Sequence, residues 1–429
     1  YYCNKHKIPY QLFELNTVVG GNCITYNINE FKFDSGAHRF HNKDKEATQL
    51  IKNLMKNDLN LINVKSQIYI NDKFIDFPLS PLNIIQNLGL LKSSSAFFNL
   101  ILSKFNCNKI TNFQEFAIRK YGSEIANLFL LNYSKKLWGL APDKLSTEIS
   151  GRRLKGLNLI SLILELLNLQ NKKNTHLDGT FYYPNHGIGT IFKQIEKKCG
   201  KNNFNLNSNV SSIKHNNNKI TSITLNNKNI INVDYLVSSL SINDLIKLLN
   251  PEPPKSIIKL SRLINYRNII LVIFLLDKTS VNNNGSMYFP SNEYIFTRIY
   301  EPKNRSMYMS PKDKTSLIVE VPCQREDLIW KSDTTELIKN IEMQLIDIGF
   351  FSKKEVIDIH IKKIVKAYPI LELNYFNIIN PIKEYLSGFK NLIINGRNGK
   401  FEYTHIHDHL RDSKNIVSKL ESELNINFN

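Results

Sequence analysis

The sequence predicts a mixed fold that combines α/β and α+β architecture. Short segments of alternating apolar residues recur along the chain, and asparagine or glycine turns separate them. Amphipathic helical segments lie between these strands, and a long block from about residue 81 to 170 has mostly helical spacing. No internal repeat is visible. This order of elements indicates a sheet-containing protein that carries an inserted helical unit.

The first 80 residues are predicted to contain strands and one helix. Residues 68–77 are typical of a β-hairpin, because apolar residues alternate on both sides of the polar pair Asn71 and Asp72. The predicted elements are a strand at 11–15, a glycine turn at Gly20 and Gly21, an extended segment at 30–34, a helix at 46–56 and this hairpin.

The helical block shows three- and four-residue apolar spacing in 113–116, 125–133 and 157–169. Beyond it, asparagine-rich links predict hairpin turns between short strands, and the alternation around Ile220 favours an ordered ribbon over low complexity. The predicted elements are a helix at 188–199, strands at 210–215, 219–225, 230–232, 235–238, 268–276 and 316–321, a helix at 335–348, strands at 357–364 and 391–395, a turn at 396–399, and a helix from about 412.

The composition is that of a globular protein, because 42% of the 429 residues are hydrophobic and 22% are charged. The net charge is +18, but the lysines are scattered and no basic stripe is interleaved with aromatic residues, so we expect no nucleic-acid partner. The longest apolar runs are too short to span a bilayer. Five widely spaced cysteines, an odd number, indicate a reducing compartment. We therefore expect a cytoplasmic protein, with peripheral membrane association as the alternative.

Glu14 closes the first predicted strand, and the Gly20–Gly21 turn follows it. In a dinucleotide-binding fold, an acidic residue at the end of the second strand accepts hydrogen bonds from the ribose, about 20 residues after the glycine-rich phosphate turn. A solvated surface charge is the alternative for Glu14. No G-x-G-x-x-G turn occurs near the start of these 429 residues. The motif logic therefore places the first strand and the phosphate turn ahead of residue 1.

A second informative segment runs from Phe33 to His41 and reads Phe-Asp-Ser-Gly-Ala-His-Arg-Phe-His. Small residues let the backbone approach a flat ring, and backbone amides can there meet phosphate or ring oxygens. Together with Glu14 and the glycine turn, this segment resembles flavoproteins of the glutathione-reductase-like class. More narrowly, it is similar to protoporphyrinogen-oxidase-like and amine-oxidase-like FAD enzymes and to UDP-galactopyranose mutases.

Three further stretches match the same group. Residues 133–139 with 153–157 resemble a helical segment of bacterial FAD oxidoreductases that are often found beside polysaccharide genes. Residues 181–189 resemble the turn that re-enters the flavin domain, and 396–403 resemble the C-terminal flavin-contacting motif. Five motifs in the same order along nearly the whole chain identify the superfamily. They do not identify the reaction.

The resemblance implies FAD as the cofactor and a two-domain organisation. A Rossmann-like FAD-binding domain would comprise residues 1–65, 180–250 and 390–429, without its first strand and glycine turn. A substrate domain of helices and antiparallel sheet would comprise residues 66–179 and 251–389. Because the phosphate turn is not among these residues, we expect the coding sequence to continue upstream and tight FAD binding to require that part.

The resemblance also implies which residues hold the cofactor. Glu14 would bind the adenosine ribose, Gly20, Gly21 and His38 would lie near the ribityl chain and isoalloxazine, and Gly396, Arg397 and Gly399 would close over the flavin. The guanidinium of Arg397 is suited to stabilising negative charge on a reduced flavin or a substrate phosphate. A pair with a carboxylate at the domain interface is the alternative for Arg397. A core histidine with a satisfied ring is the alternative for His38.

The predicted substrate-binding residues are Tyr133, Lys136, Trp138 and Arg153. Aromatic planes can stack on a sugar, a base or another ring, and cations can bind an anionic group. For Trp138, packing in the core is the favoured interpretation. No side chain is identified as a general base.

The run from Thr404 to His409 departs from the family pattern, which usually continues here with an Asn-x-Asp-His type segment. Alternate histidines with an aspartate are similar to the metal site of metallo-β-lactamase-like hydrolases. The spacing lacks one residue, however, and the usual flanking elements are absent. We therefore predict no metal.

Together these observations predict an FAD-dependent oxidoreductase that acts on a small molecule, with polysaccharide or cell-surface glycan biosynthesis as its setting. Hydride would pass from the substrate to the flavin, and oxygen or another acceptor would reoxidise it. The first alternative is a flavin-dependent isomerase similar to UDP-galactopyranose mutase, acting on a nucleotide-sugar, which His38, Phe40, His41 and Arg397 favour. The second alternative is a non-catalytic fragment.

Overall fold

The computed structural model describes residues 1–77, 109–150 and 180–424, together with a few helical positions between 85 and 103. The predicted helix at 157–169 and the candidate residue Arg153 lie outside the described residues.

The strands in this part of the chain belong to six sheets. They are β1 (Leu12–Phe13), β2 (Thr25–Ile28), β3 (Phe31–Asp34), β4 (Leu59–Asn63), β5 (Ser66–Ile70), β6 (Lys73–Phe77), β7 (Thr180–Pro184), β8 (Phe204–Asn205), β9 (Val210–Asn216), β10 (Lys219–Leu225), β11 (Asn229–Asn232), β12 (Leu236–Ser238), β13 (Leu249–Asn250), β14 (Tyr266–Leu276), β15 (Ser286–Tyr288), β16 (Arg298–Tyr300), β17 (Thr315–Cys323), β18 (Val356–Pro369) and β19 (Leu392–Ile394).

The α-helices of the same ranges are α1 (Tyr2–Lys5), α2 (Lys45–Met55), α3 (Phe113–Tyr121), α4 (Ser123–Ile125), α5 (Asn132–Trp138), α6 (Thr190–Cys199), α7 (Ile242–Leu248), α8 (Lys255–Arg262), α9 (Leu328–Lys331), α10 (Thr335–Asp347), α11 (Tyr375–Ser387), α12 (Arg397–Lys400) and α13 (Ile406–Glu423). A π-helical turn, Ala126–Leu131, joins α4 to α5. None of these helices has both the length and the apolar character needed to cross a membrane.

The largest sheet has seven strands in the order β18-β14-β17-β16-β15-β5-β6, and its pairs are antiparallel except for β15 with β5. Every residue of β14 and of β17 is buried. Apolar clusters cover both faces of these strands, which explains why they read as continuous apolar runs instead of alternating ones. The mixed α/β and α+β class is thereby confirmed, while the domain boundaries stay a prediction.

Two short pairs of parallel strands accompany this sheet: β1 pairs with β8, and β12 pairs with β19. Parallel strands in open α/β folds bind ligands outside their carboxyl ends. The carboxyl end of β19 leads directly into the predicted flavin-contacting residues 396–399, and the parallel strand β12 ends beside it.

The hairpins predicted at 68–77 and within 210–232 are confirmed, whereas the predicted strand at 235–238 pairs in parallel with β19 and forms no hairpin with β11. Strands β9, β10 and β11 form a meander. Asn217 and Asn218 turn between the first two strands, and Asn226 and Asn227 between the last two, all four with positive φ. Asparagine tolerates this left-handed backbone better than other non-glycine residues, so its density here produces turns and not low complexity.

Two predicted boundaries near the C-terminus were wrong. Residues 397–400 form the short helix α12 instead of a simple turn. Helix α13 begins at Ile406 and not near 412, because Asp408 accepts the backbone N–H of His405 at 3.0 Å and closes a capping box. Helices α7, α8 and α11 were not predicted, and α11 contains the internal residue Pro381, which argues against a helix in sequence.

Candidate active site

The candidate site begins at the carboxyl ends of β12 and β19, where helix α12 packs closely on the strand ends. Gly396 precedes this helix with φ of 78°. A Cβ at Gly399 would lie 3.1 Å from the carbonyl oxygen of Leu240 and 3.4 Å from that of Ser238. Both positions therefore need glycine, one for its backbone conformation and the other for close approach.

Buried polar atoms without a partner lie at the same strand ends. Ser238 Oγ, Asn395 Oδ1 and Asn398 Oδ1 make no hydrogen bond within the described part of the chain. Buried polar groups are nearly always satisfied, so unpaired atoms of this kind indicate a ligand or ordered water. The polar edge of a flavin ring system carries the donors and acceptors that would pair with them, and the residues present therefore fit the expected FAD.

Arg397, the first residue of α12, is held by backbone and aromatic groups. Its guanidinium donates to the carbonyl oxygens of Ala367 at 3.3 Å and Thr404 at 2.7 Å. It also lies over the rings of Tyr368 and Tyr403, 5.5 and 5.2 Å from their centroids. No carboxylate of the described residues forms an ion pair with it. Arg397 contributes a positive charge that this part of the chain does not neutralise.

His38 is brought towards Arg397 by the β3–α2 connection. Its Nε2 lies 3.3 Å from Ser35 Oγ. Burial, together with the positive charges of Arg397 and Arg298, lowers the pKa of His38 to about 3. The imidazole is therefore neutral at pH 7 and can serve as a hydrogen-bond donor or acceptor, but not as a proton-releasing acid.

A buried ion pair that was not predicted completes the polar part of the site. Arg298 on β16 and Glu320 on β17 are direct cross-strand neighbours, with Nε–Oε2 and Nη2–Oε1 distances of 2.8 Å. Glu320 also accepts the N–H of Ala37 at 3.0 Å. A sequence signal for this pair exists, because each of two apolar segments contains a single charged residue. The segments are Phe296–Tyr300 and Leu317–Val321.

Four tyrosines and a tryptophan surround these charges. Tyr133 on α5 meets Tyr288 edge to face at 5.7 Å. Trp138 contacts Tyr368 at 5.9 Å and Tyr403 at 6.1 Å, and with 4% exposure it is a packing residue, as its favoured interpretation had it. Burial raises the pKa of Tyr133, so its hydroxyl stays protonated. We call the following nine residues the arginine–tyrosine site: His38, Tyr133, Trp138, Tyr288, Arg298, Glu320, Tyr368, Arg397 and Tyr403.

Lys136 lies one turn along α5 from Tyr133, but its ammonium group is already engaged. It donates to the carbonyl oxygens of Phe289, Ser291 and Phe296 at 2.6–2.9 Å. Burial lowers the pKa of Lys136 to about 7, while the three carbonyl oxygens act in the opposite sense and favour the ammonium form. Lys136 thus fixes the helix that carries Tyr133, and the structure gives no support to direct substrate contact.

Glu14 lies at the carboxyl end of β1, where its carboxylate accepts the backbone N–H of Asn16 at 2.9 Å and the side-chain amide of Asn16 at 2.7 Å. Gly20 has φ of 121°, and a Cβ there would lie 2.9 Å from the carbonyl oxygen of Cys23. Gly21 has φ of 55° with open space around it. Their contacts with a cofactor stay predictions.

Asp34, at the end of β3, ties the 33–41 segment to the core. It is fully buried and accepts hydrogen bonds from Thr25 Oγ1 at 2.7 Å, Tyr183 Oη at 2.5 Å and the N–H of Ile188 at 3.1 Å. Burial raises the pKa of Asp34, although these donors favour its carboxylate. A Cβ at Gly187, which has φ of 92°, would lie 2.4 Å from Thr25 Oγ1 and 2.9 Å from Asp34 Oδ1. The backbone at Gly187 therefore packs directly against the hydrogen-bonded side chains of Thr25 and Asp34.

The histidine run lies at the start of α13. His405 and His407 stack with ring centroids 5.5 Å apart, and Arg411 donates to Asp408 at 2.6 Å. Within the residues that the structure describes, no group of three or more His, Cys, Asp or Glu side chains is placed to hold a metal ion. The histidine run therefore caps the start of α13 and forms side-chain contacts within that helix.

Comparison with known sequences gives a match over most of the chain. Residues 4–348 match the profile of a protein family described as flavin-containing amine oxidoreductases.

Comparison with solved structures gives matches over the full length. The fold is similar to that of a reduced UDP-galactopyranose mutase, with a TM-score of 0.85, 19% identity, and coverage of 100% of this chain and 93% of the other. A protein named as a protoporphyrinogen oxidase from Exiguobacterium sp. 255-15 gives a TM-score of 0.77 at 14% identity, covering 98% and 95%. Cyclohexylamine oxidase from Brevibacterium oxydans IH-35A gives a TM-score of 0.65 at 12% identity, covering 99% and 96%. At these identities the likeness concerns the fold alone.

Proposed function

The chain belongs to the family of flavin-containing amine oxidoreductases, with FAD as its cofactor, and we propose that it oxidises a small molecule bound in the arginine–tyrosine site. The observation that carries this proposal is the charge balance of that site. Arg298 is neutralised by Glu320, and His38 is neutral, so Arg397 alone adds an unneutralised charge among the described residues of the site. One such charge suits one anionic group.

FAD, when bound, supplies hydride acceptance at its ring. The residues that would hold it are those at the strand ends, with Ser238, Asn395 and Asn398 offering unpaired polar atoms and Gly396 and Gly399 permitting close approach. Two backbone carbonyl oxygens and two aromatic rings hold the guanidinium of Arg397, so its position is fixed before any ligand binds. A fixed charge in a partly buried site stabilises negative charge more than a mobile one in water does.

The substrate side of the proposal rests on the tyrosines. Tyr133, Tyr288, Tyr368 and Tyr403 present aromatic surface and hydroxyl groups around the neutralised Arg298. Such a lining suits a flat or sugar-like molecule, which can stack on a ring and accept or donate hydrogen bonds. We extend the proposal to a substrate of glycan biosynthesis. We assign no general base, because no described side chain of the site is both a base at pH 7 and placed to accept a proton from a substrate.

The second candidate is a flavin-dependent isomerase that acts on a nucleotide-sugar. The observation in its favour is the full-length similarity to UDP-galactopyranose mutase. The charge balance disfavours it, because a diphosphate carries two negative charges and Arg397 supplies one unneutralised cation.

The two candidates differ in redox requirement. The protein loaded with FAD would be mixed anaerobically with sugar-like and aromatic compounds that carry one anionic group, such as uronic acids and aromatic carboxylates, and the flavin absorbance near its visible maximum would be followed. We expect one of these compounds to bleach the flavin, and bleaching to be lost in Tyr133→Ala. Dithionite-reduced protein should leave UDP-galactopyranose unchanged. Conversion to UDP-galactofuranose under reducing conditions, abolished by Arg397→Ala, would establish the isomerase, and inactivity in both assays would favour a non-catalytic protein.

A further inference from the structure

A second polar site lies in an open groove of about 540 Å³ that shares no residue with the arginine–tyrosine site. Its lining includes Asn57 and Asn60 from the segment after α2, Asn185 after β7, and Asn304, Arg305 and Tyr308 from the loop after β16. Three separate parts of the chain thus converge on one concave surface.

The amide side chains in the groove are only partly used. Asn60 donates to Asn185 Oδ1, which leaves its own Oδ1 available. Asn57 is exposed and its side chain makes no hydrogen bond with any residue that the structure describes. An amide carries both a donor and an acceptor a short distance apart, which matches the paired hydroxyls of a sugar ring.

Arg305 forms the base of the groove and is held from behind. Its side chain is 99% buried, since the residue is 1% exposed, yet its Nε–H has no partner in the described part of the chain. The other nitrogens are satisfied: Nη1 donates to the carbonyl of His38 at 3.3 Å and Nη2 to that of Gly285 at 3.2 Å. These bonds fix Arg305 in place beneath the groove, and its Nε is closed to solvent.

The rim of the groove adds an apolar, partly aromatic surface. Tyr308 is 51% exposed and Met307 is 67% exposed, and the His186 ring packs against the edge of Tyr308 at 5.4 Å. Exposed aromatic rings beside amides are suited to the C–H face of a sugar. The ammonium of Lys303, also in the lining, lies 2.8–3.0 Å from four backbone carbonyl oxygens, which engage all three of its N–H groups, so it is not free to bind a phosphate.

We propose that this groove is a carbohydrate-binding subsite that accepts a neutral, hydroxyl-rich sugar. Asn57 and Asn60 bind adjacent hydroxyls, and Tyr308 covers one face of the sugar. The subsite is independent of the reaction assigned to the arginine–tyrosine site.

Saturation-transfer NMR with the FAD-loaded protein tests this proposal, using D-glucose, D-galactose and D-mannose as separate probes at millimolar concentration. We expect transfer to at least one of them. The double variant Asn57→Ala/Asn60→Ala and the single variant Tyr308→Ala should each weaken binding of that sugar by about tenfold, because each removes one or two contacts of ordinary strength.

The matched control is Asn380→Ala, an exposed asparagine on α11 that is outside the groove, and it should bind like the unchanged protein. Circular dichroism would establish that each variant is folded. Absence of transfer to all three sugars would overturn the proposal. So would transfer that persists unchanged in the groove variants, because the sugar would then be bound elsewhere.

Discussion

Arg298 and Glu320 face each other directly across β16 and β17 in a bidentate ion pair, and both side chains are at most one-tenth exposed. The pair fixes the charge of the candidate site, because it cancels one of the two arginines there and leaves Arg397 as the remaining cation. It also joins the seven-stranded sheet to the 33–41 segment through the N–H of Ala37.

We predict that Glu320→Gln lowers the free energy of unfolding by about 3–5 kcal/mol, because it leaves the buried Arg298 charge without its partner. Urea unfolding at pH 7 measures this loss. The control is Asp76→Asn, which breaks the solvent-exposed pair of Asp76 with Lys65 and should cost about 1 kcal/mol or less. Equal losses in the two variants would mean that the Arg298–Glu320 pair is as well solvated as the surface pair.

We predict that Arg397→Ala lowers the two-electron reduction potential of bound FAD by about 30–60 mV. A charge-assisted interaction of about 1.5–3 kcal/mol favours the more negative, reduced state, and about 30 mV corresponds to 1.4 kcal/mol for a two-electron couple. Spectroscopic titration against a reference dye gives the potential. Arg262→Ala, at an exposed position on α8, is the control. An unchanged potential in Arg397→Ala would place Arg397 away from the ring.

Neutral, buried His38 should make the protein acid-sensitive. Its pKa in the folded protein, about 3, is below the value of about 6.5 in the unfolded chain. Between these values the unfolded state binds one more proton, so this contribution to stability is complete above pH 6.5 and is lost as the pH falls towards 3.

We therefore expect His38→Gln to reduce the change in unfolding free energy between pH 7 and pH 5 by about 2 kcal/mol. Urea unfolding at the two pH values measures this change. The control is His186→Gln, a substitution of an exposed histidine. A pH dependence that is the same in His38→Gln as in the unchanged protein would show that His38 is protonated normally.

Gly187→Ala should destabilise the protein by about 3 kcal/mol or more, because the added Cβ would overlap Thr25 and approach Asp34 in addition to adopting positive φ. Gly349→Ala is the matched control, since Gly349 has φ of 86° but nothing within 4 Å of the added atom. Backbone strain alone should cost about 1 kcal/mol there. Thermal unfolding measures the stability lost in each variant. Similar losses would mean that Thr25 and Asp34 move aside to accommodate the added Cβ.

The sequence by itself determined the elements that depend on local pattern. The apolar runs at 268–276 and 316–321 predicted the strands β14 and β17, and the asparagine-rich links predicted the hairpin turns at 217–218 and 226–227. The resemblance of Gly396, Arg397 and Gly399 to a flavin-contacting motif predicted the cofactor and the superfamily, both of which are confirmed. These features depend on residues that are close together in the chain, so spacing and residue type suffice to find them.

The tertiary structure alone decided which charges meet. Arg298 and Glu320 are 22 residues apart, and their pairing depends on strand register, which no local pattern fixes. The same holds for Lys136, whose three carbonyl partners lie more than 150 residues away in the chain, so that no local pattern could identify them. The chemistry of a buried charge is set by the groups that desolvate or neutralise it, and folding brings those groups from distant parts of the chain.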